Sequence, residues 1–204
     1  MIAVNTFSSN ADDVFQKIKE TITSFIDTYG TKGIHFTILA GTTDDTIIYF
    51  ENYTTSEQLK SMITSLDRQL GGLALDEALR IARKVFKSAS ARESAQKVFV
   101  LIADKKSTSS LSDVVPEVKA LEEMDVTVIP VGIGGEVDIK ELQELTPNIS
   151  DVINTSAIDD VEQFRQEIML KILKGRTCLL VKSQKIVYRS LDMITLTIFF
   201  SFLL

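Results

Sequence analysis

Asp104 stands at the end of an apolar run, where a carboxylate could take part in binding or catalysis. The run covers residues 98–102 and shows no alternation of polar and apolar side chains. Such a pattern is typical of a strand that is buried on both faces of a parallel sheet. In open α/β sheets, functional sites form beyond the carboxyl ends of the central strands. We therefore expect Asp104 to lie at the site-forming edge of a sheet.

Residue types that carry catalysis are scarce in this chain. It has one histidine, His35, and one cysteine, Cys178. His35 lies at the start of a predicted strand, where a lone histidine is typical of a strand residue rather than a base or a ligand. The aspartate pairs at 12–13 and 44–45 fall in polar turns, and nothing in the sequence places a second carboxylate opposite them. We therefore predict that the chain is not an enzyme.

Two glycine-containing segments lack the full pattern of a phosphate-binding loop. Gly71 and Gly72 follow a predicted helix and lack the G-x-G-x-x-G spacing. Residues 132–135, Gly-Ile-Gly-Gly, follow a predicted strand and precede a helix, but they lack the Lys and Ser/Thr of a P-loop. A nucleotide-binding or enzymatic domain is therefore the least supported alternative, and we predict no cofactor.

The elements that would position Asp104 follow from hydrophobic periodicity. Short β-branched runs predict strands, and apolar residues at helical spacing predict helices. Predicted strands cover residues 2–7, 34–40, 46–50, 97–103, 126–132 and 151–155, and predicted helices begin near residues 14, 56, 75, 114, 139 and 161. Ser56 is the predicted cap of the second helix. The short polar connection between the second and third strands predicts an antiparallel hairpin.

Strands that alternate with helices predict an α/β fold, a three-layer α/β/α sandwich with a doubly wound, mainly parallel sheet and one antiparallel edge strand. Residues 1–174 form the predicted domain, with a first strand that could be truncated. Residues 175–204 are basic and then apolar, and we expect them to lie outside the fold. The apolar run at 193–204 is shorter than the ~20 residues that span a bilayer. Membrane contact is therefore expected only if this tail is a truncated anchor.

Composition also bears on partners and location. The net charge is −6, and no Lys/Arg cluster interleaves with aromatic residues, so no nucleic-acid partner is predicted. A single cysteine fits either an intracellular protein or a secreted module whose Cys178 pairs outside this chain. No signal peptide is visible at the N-terminus. Glycosylation sequons at Asn52, Asn148 and Asn154 favour secretion only modestly.

Several segments together resemble the von Willebrand factor type A (VWA) domain family. They are the strand and turn at residues 5–9, the Gly71-Gly72 turn, the central strand ending at Asp104, and residues 126–145. The resemblance covers about residues 2–173 and depends on the order and spacing of these segments. It implies a non-enzymatic interaction or adhesion module of an extracellular matrix or cell-surface protein, with a protein ligand such as a matrix protein. An intracellular scaffold in a macromolecular complex is the alternative that stays open.

In this family the same edge of the sheet usually forms a metal-ion-dependent adhesion site (MIDAS). A D-x-S-x-S turn, a threonine after the glycine pair and the aspartate of a T-D-G turn supply the ligands. The resemblance places Asn5, Phe7 and Ser9 at the three ligand positions of the first turn. It places Leu73 at the threonine and Asp104 at the central aspartate.

Asn5, Ser9 and Asp104 are therefore vestigial ligand positions, whereas two apolar side chains replace the other ligands. An amide, a hydroxyl and one carboxylate compensate the charge of Mg²⁺ poorly, because that ion takes about six oxygen ligands in octahedral geometry. Lys105 could also place its ammonium where the metal would sit. We predict a degenerate MIDAS with at most weak Mg²⁺ binding, at which Asp104 caps a loop or pairs with Lys105 or Lys106.

Overall fold

A computed structural model of the chain describes residues 2–5, 11–40, 47–67, 74–88, 95–182 and 196–202. Its strands are β1 (Ile2–Asn5), β2 (Ile34–Leu39), β3 (Ile47–Ile48), β4 (Gln96–Lys105), β5 (Val126–Glu136), β6 (Ile153–Thr155) and β7 (Leu196–Phe202). Its helices are α1 (Ala11–Gly33), α2 (Ser56–Thr64), α3 (Leu75–Lys87), α4 (Leu111–Glu122), α5 (Ile139–Gln143) and α6 (Val161–Lys182). Two 3₁₀ turns cover Phe50–Asn52 and Ile149–Asp151.

The strands form one sheet in the order β3-β2-β7-β1-β4-β5-β6. The pairing of β2 with β3 is antiparallel, and the other described pairings are parallel. These pairings confirm the predicted α/β class, the mainly parallel sheet and the antiparallel edge strand. Because the parallel strands point the same way, their carboxyl ends meet at one edge.

Strand β4 is covered on both faces, as its apolar run predicts. Each residue from Val98 to Ala103 is at most 2% exposed, and successive side chains of a strand point to opposite faces. The helices form two packed groups, α1 with α2 and α6, and α3 with α4. The two helical groups therefore cover opposite faces of the sheet and complete the three layers.

Strand β7 differs from the expectation that residues 175–204 lie outside the fold. It pairs with β2 through six consecutive residues, beginning at Ile34 opposite Leu196. Strand β1 pairs with β4 only from Val100 onward, so β7 lies beside the first half of β4. The apolar tail is rich in aromatic and β-branched residues, which favour a strand inside a sheet. Among the helices described, none combines the length and apolarity that crossing a bilayer requires.

Helix α2 has a different cap from the one predicted. Thr55, not Ser56, is the capping residue, and its hydroxyl accepts a hydrogen bond from the Gln58 N–H at 3.2 Å. The Gln58 side chain accepts one in return from the Thr55 N–H at 3.3 Å. Such a reciprocal arrangement needs Thr and Gln three residues apart, and that spacing is present only when Thr55 is the cap.

Arg165 of α6 fixes that helix against α1. Its side chain is 5% exposed, and its guanidinium donates to the Glu162 carboxylate and, at 2.9 Å, to the Tyr29 hydroxyl. The guanidinium carbon also lies 5.9 Å from the centre of the Phe25 ring. The Arg165 hydrogen bonds lower the pKa of Glu162 to about 2. This contact sets the position of α1, whose first turns reach the edge of the sheet.

The Tyr53 hydroxyl bonds backbone groups of β2 at a position where β3 does not pair with that strand. Strand β3 pairs with β2 only at Ile38 and Leu39. The Tyr53 hydroxyl accepts a hydrogen bond from the Phe36 N–H at 2.7 Å and donates to the Phe36 carbonyl at 2.9 Å. The Tyr53 hydroxyl therefore makes the backbone hydrogen bonds that a neighbouring strand would make at this position. An unpaired strand edge can instead pair with another chain.

Replacing Tyr53 with phenylalanine should lower the free energy of unfolding by about 1–3 kcal/mol, because it removes two buried hydrogen bonds. Urea denaturation measures the change, and hydrogen exchange should show a faster rate at the Phe36 amide. An unfolding free energy and a Phe36 exchange rate equal to those of the wild type would show that the hydroxyl does not hold this edge.

Candidate functional site

The carboxyl ends of β1, β4 and β5 bring the described MIDAS positions together. Asn5 ends β1 and lies opposite Ala103 of β4, which in turn lies opposite Gly132 of β5. Asn5 is therefore on the strand next to Asp104, as the sequence predicted. The other positions of the predicted site, Ser9, Phe7 and Leu73, lie outside the described residues.

A bulge in β5 opens the sheet beside Asp104. The β4–β5 register runs without a break up to Ala103 and Gly132, and the next matched pair is Lys105 with Glu136. Three residues of β5 thus oppose Asp104 alone, and such extra residues re-aim the side chains around them. Gly134, in the middle of the three, has a φ of +92°, a conformation that glycine adopts without strain.

Asp104 lines a cleft of 240 Å³ at this bulge. The carboxylate is nearly buried, since the residue is 4% exposed. The other walls come from the first turns of α1, from the bulge in β5 and from the turn after β6; these lining residues are Asp13, Val14, Lys17, Ile133, Gly134, Gly135, Glu136, Ser156, Ala157 and Ile158. The cleft therefore lies at the edge that the sequence predicted, but most of its walls come from residues that the sequence analysis did not select.

The cleft carries an excess of negative charge. Its lining includes the carboxylates of Asp13, Asp104 and Glu136 and the ammonium of Lys17. Lys17 lies 3.2 Å from Asp13, one helical turn away. The start of α1 adds the positive end of a helix dipole, equivalent to about half a charge. Among the described lining residues, three carboxylates outweigh one ammonium and half a charge, so this part of the cleft favours a cation.

The lysines near Asp104 make different contacts. Lys17 of α1 supplies the ammonium among the described residues that line the cleft, and the pairing of Asp104 with Lys105 stays a prediction. The Lys106 Nζ lies 2.9 Å from Asp138 Oδ2, so its ion pair is with the cap of α5. The hydrogen bond between these two side chains raises the pKa of Lys106 and lowers that of Asp138.

The loop after Asp104 is anchored on both sides. The Ser107 N–H donates to Glu141 Oε2 of α5 at 3.0 Å, and the Ser109 hydroxyl donates to Asp76 Oδ1 of α3 at 2.7 Å. Glu141 is 9% exposed, and its burial raises its pKa above the usual range. No local pattern marks Asp76 or Glu141, because each is an ordinary acidic residue in the first turn of a helix.

Gly132 allows close packing of the chain against β5. A Cβ at this position would lie 2.9 Å from Val137 Cγ1 and 3.1 Å from Leu142 Cδ1, so only glycine lets α5 approach β5 this closely. His35 stacks on the Phe50 ring with centroids 4.6 Å apart, which agrees with the predicted structural role. A larger cleft, of 380 Å³, lies along α1. There the Lys19 ammonium donates to the Thr64 carbonyl and joins α1 to α2.

A sequence model of the von Willebrand factor type A domain matches residues 3–167. The chain belongs to the VWA domain family. This match confirms the resemblance on which the site prediction was based, and it covers the edge that carries Asp104.

Solved structures with the same fold include proximal thread matrix protein 1 from the mussel byssus, with a TM-score of 0.70 and 19% identity over 84% of this chain and 47% of that chain. A second structure of that protein has a MIDAS motif occupied by zinc (TM-score 0.68, 18% identity, 84% and 48% coverage). A von Willebrand factor type A protein from Catenulispora acidiphila has a TM-score of 0.60 and 21% identity over 85% of this chain and 42% of that chain. The VWA chain described here spans a little under half the length of these proteins. At such identities the likeness shows the fold alone.

The described part of this VWA domain offers a poor donor set for a MIDAS metal. Asp104 is a carboxylate, whereas its neighbour Asn5 could give only an amide oxygen. Within the described ranges, no three His, Cys, Asp or Glu side chains are grouped to hold an ion. A divalent cation that keeps octahedral geometry needs more compensation than one carboxylate gives. The absence of a metal nevertheless stays a prediction, because Ser9 lies outside these ranges.

The bulge yields a prediction with an internal control. Gly134→Ala should lower the unfolding free energy by about 1 kcal/mol. A residue with a Cβ is strained by about 1–2 kcal/mol at a positive φ. Alanine also lowers the conformational entropy of the unfolded chain, and this effect offsets part of the strain. Nothing lies within 4 Å of the new Cβ, so the cost is in the backbone.

Gly135→Ala is the matched control, since its Cβ also meets nothing within 4 Å and its φ is not left-handed. This variant should be neutral or more stable by up to about 1 kcal/mol. Urea denaturation of both variants checks the pair. Equal effects of the two substitutions would contradict the conformation assigned to the bulge.

Glu141 yields a pH-dependent prediction. Because its folded pKa is raised, the folded state holds the proton more tightly, so its contribution to stability is present near pH 4 and is lost as pH rises through the raised pKa. Glu141→Gln removes this titration while keeping an oxygen for the Ser107 N–H. The variant should therefore gain stability relative to the wild type between pH 4 and pH 7.

Urea denaturation at both pH values measures this difference. Glu144→Gln, at the exposed C-cap of the same helix, is the control and should show a smaller change. A Glu141→Gln protein whose stability difference from the wild type is the same at both pH values would refute the buried, titrating carboxylate.

Proposed function

We propose that this VWA domain is a non-enzymatic protein-interaction module of an extracellular matrix or cell-surface protein, and that it binds its protein ligand without a metal. The observation that carries this proposal is the cleft at the carboxyl edge of the sheet, where a nearly buried Asp104 meets the bulge of β5. A cleft of 240 Å³ is smaller than the 300–1,000 Å³ of typical small-molecule pockets. It therefore suits one side chain of a protein ligand.

Family and neighbours support the setting of this function. VWA domains generally mediate protein–protein interactions, and one of the structural neighbours is named as a matrix protein of the mussel byssus. An adhesion role outside the cell is consistent with that neighbour. The chain spans less than half of that protein, so the partners and location of this VWA domain are parts of the proposal.

The charge of the cleft supports a basic side chain as the inserted group. Among the described residues that line it, Asp13, Asp104 and Glu136 are accompanied by one ammonium, that of Lys17. A ligand carboxylate would be repelled there unless a metal ion came between, and the donor set around Asp104 holds such an ion poorly. An arginine or lysine of the ligand would instead complete the charge balance. Its binding would then be independent of divalent ions.

Two peptides that differ only in a central arginine or glutamate test this polarity. In a residue-resolved NMR titration, the arginine peptide should shift the amide signals of Gly134, Gly135 and Ser156 to saturation, equally with EDTA and with Mg²⁺. The glutamate peptide should leave these signals in place. Metal-dependent binding of the glutamate peptide, or no shift with either peptide, would overturn the metal-free contact.

Charge variants sharpen the same experiment. Glu136→Lys should weaken binding of the arginine peptide roughly tenfold. Two unit charges 4 Å apart interact by about 1 kcal/mol in water, and reversing one of them changes the interaction energy by about twice that amount. Salt screening reduces this difference. Glu122→Lys, at the far end of α4, is the matched control and should bind like the wild type. Equal loss in both variants would indicate a general effect of net charge rather than the cleft.

Calorimetric titration with Mg²⁺ or Mn²⁺ tests the metal directly. We expect no measurable heat of binding at millimolar ion concentration, because the charge of a divalent ion is poorly compensated at this edge. Tight binding that disappears in Asp104→Asn would show a working MIDAS and would refute the metal-free proposal.

A further inference from the structure

We propose that Asn148 carries an N-linked glycan and that Asn154 does not. This inference rests on the proposed extracellular function, because N-glycosylation requires the secretory route. It depends on where the three sequons lie in the fold and on the hydrogen bonds that each one makes.

The sequon at Asn148 is exposed along its whole length. Asn148, Ile149 and Ser150 are all exposed, and Ile149 is 63% accessible. Asn148 Oδ1 accepts hydrogen bonds from the Ser150 N–H at 3.2 Å and from the Ser150 hydroxyl at 2.9 Å. These side-chain contacts join residues two apart, so they can form in a short segment before the rest of the domain folds. In the folded domain the Lys171 ammonium of α6 also donates to the Ser150 carbonyl.

The same geometry suits the attached sugar. With Oδ1 turned toward the Ser150 backbone, the Nδ2 branch of the planar amide points away from the turn. In the transfer, Nδ2 forms a bond to C1 of the sugar and gives up one proton. The bond between C1 and the pyrophosphate oxygen of a lipid-linked oligosaccharide breaks, and the lipid pyrophosphate leaves. The glycan then extends from the turn into solvent.

The position of Asn148 also keeps the glycan away from the binding cleft. Strand β6 begins at Ile153 and runs parallel to β5, and the cleft lies beyond its carboxyl end, at Ser156. The turn at residues 149–151 precedes β6 and therefore lies at the other end of this strand from the cleft. A glycan on Asn148 leaves the cleft open to a protein ligand.

Asn154 is also exposed, but it lies in a strand beside the cleft. It is part of β6, paired with Gly132, and its Oδ1 is 3.4 Å from the position of a Cβ on that glycine. Its sequon ends at Ser156, which lines the cleft. A glycan there would crowd the surface that the proposed function requires, and its asparagine already packs over the neighbouring strand.

Asn52 is intermediate between these two cases. Asn52 is exposed, and its Oδ1 accepts a hydrogen bond from the Tyr49 N–H at 2.6 Å. The middle residue of this sequon, Tyr53, is buried and bound to Phe36 of β2, and the Thr54 hydroxyl donates to Gln58 at 2.9 Å. Once β2 and α2 have folded, this sequon is held by distant residues.

Glycopeptide mass spectrometry of the full chain, secreted behind a cleavable signal from a eukaryotic host, tests the assignment. We expect Asn148 to be occupied in most molecules and Asn154 in few. Ser150→Ala should abolish the glycan at Asn148 while leaving the other two sites as they are, and Ser150→Thr should restore it. An unmodified Asn148 in secreted protein, or an occupancy at Asn154 as high as at Asn148, would overturn the proposal.

Failure here can be told apart from failure of the proposed function. The Asn148→Gln variant should bind the arginine peptide like the wild type, because the turn lies at the other end of β6 from the cleft. If the wild-type protein bound the arginine peptide but carried no glycan at Asn148, only the glycan assignment would be refuted. A glycan at Asn148 in a protein that binds neither peptide would refute the proposed cleft and leave the glycan assignment in place.

Discussion

The register between β4 and β5 is the constraint on which the candidate site depends. Seven consecutive pairs, from Lys97 opposite Val126 to Ala103 opposite Gly132, hold the two strands in line. A parallel ladder of this length leaves no freedom to shift, so the extra residues of β5 must leave the sheet plane beyond it. They do so beside Asp104, and the positive φ of Gly134 allows the turn. The wall of the cleft is therefore a consequence of strand pairing that begins more than 20 Å away, at ~3.3 Å per residue.

The other wall depends on a contact on the far side of α1. Arg165 of α6 is nearly buried, and a buried guanidinium is tolerated only when its donors are satisfied. Glu162 and the Tyr29 hydroxyl satisfy them, and the rings beneath add a cation–π contribution. Because Tyr29 lies at the other end of the helix that carries Lys17, this pairing holds the helix whose first turns close the cleft. The position of the Lys17 charge in the site thus depends on a contact between α1 and α6 that lies outside the cleft.

Much of the fold could be predicted from the sequence because its strands are unalternated apolar runs, as at residues 98–102, and its helices have clear apolar faces. The edge position of Asp104 followed from the same logic. The central position of β7 did not, since a short apolar run has no periodicity that separates a strand from an anchor. Nor could the presence of Lys17 in the cleft be predicted, because Lys17 is distant from Asp104 in sequence and only the packing of α1 brings it there.

A carboxylate as buried as Asp104 limits what this edge can bind. Burial of a charge is unfavourable unless donors or cations compensate it, and VWA relatives with an intact MIDAS bring in a metal ion at this position. In this chain α1 already supplies one cation, Lys17, but that ammonium is shared with Asp13 on the same helix. Among the described lining residues, three carboxylates therefore share one ammonium. A basic side chain from a ligand would supply positive charge and the binding contact together, so loss of the metal ligands need not mean loss of an interaction site.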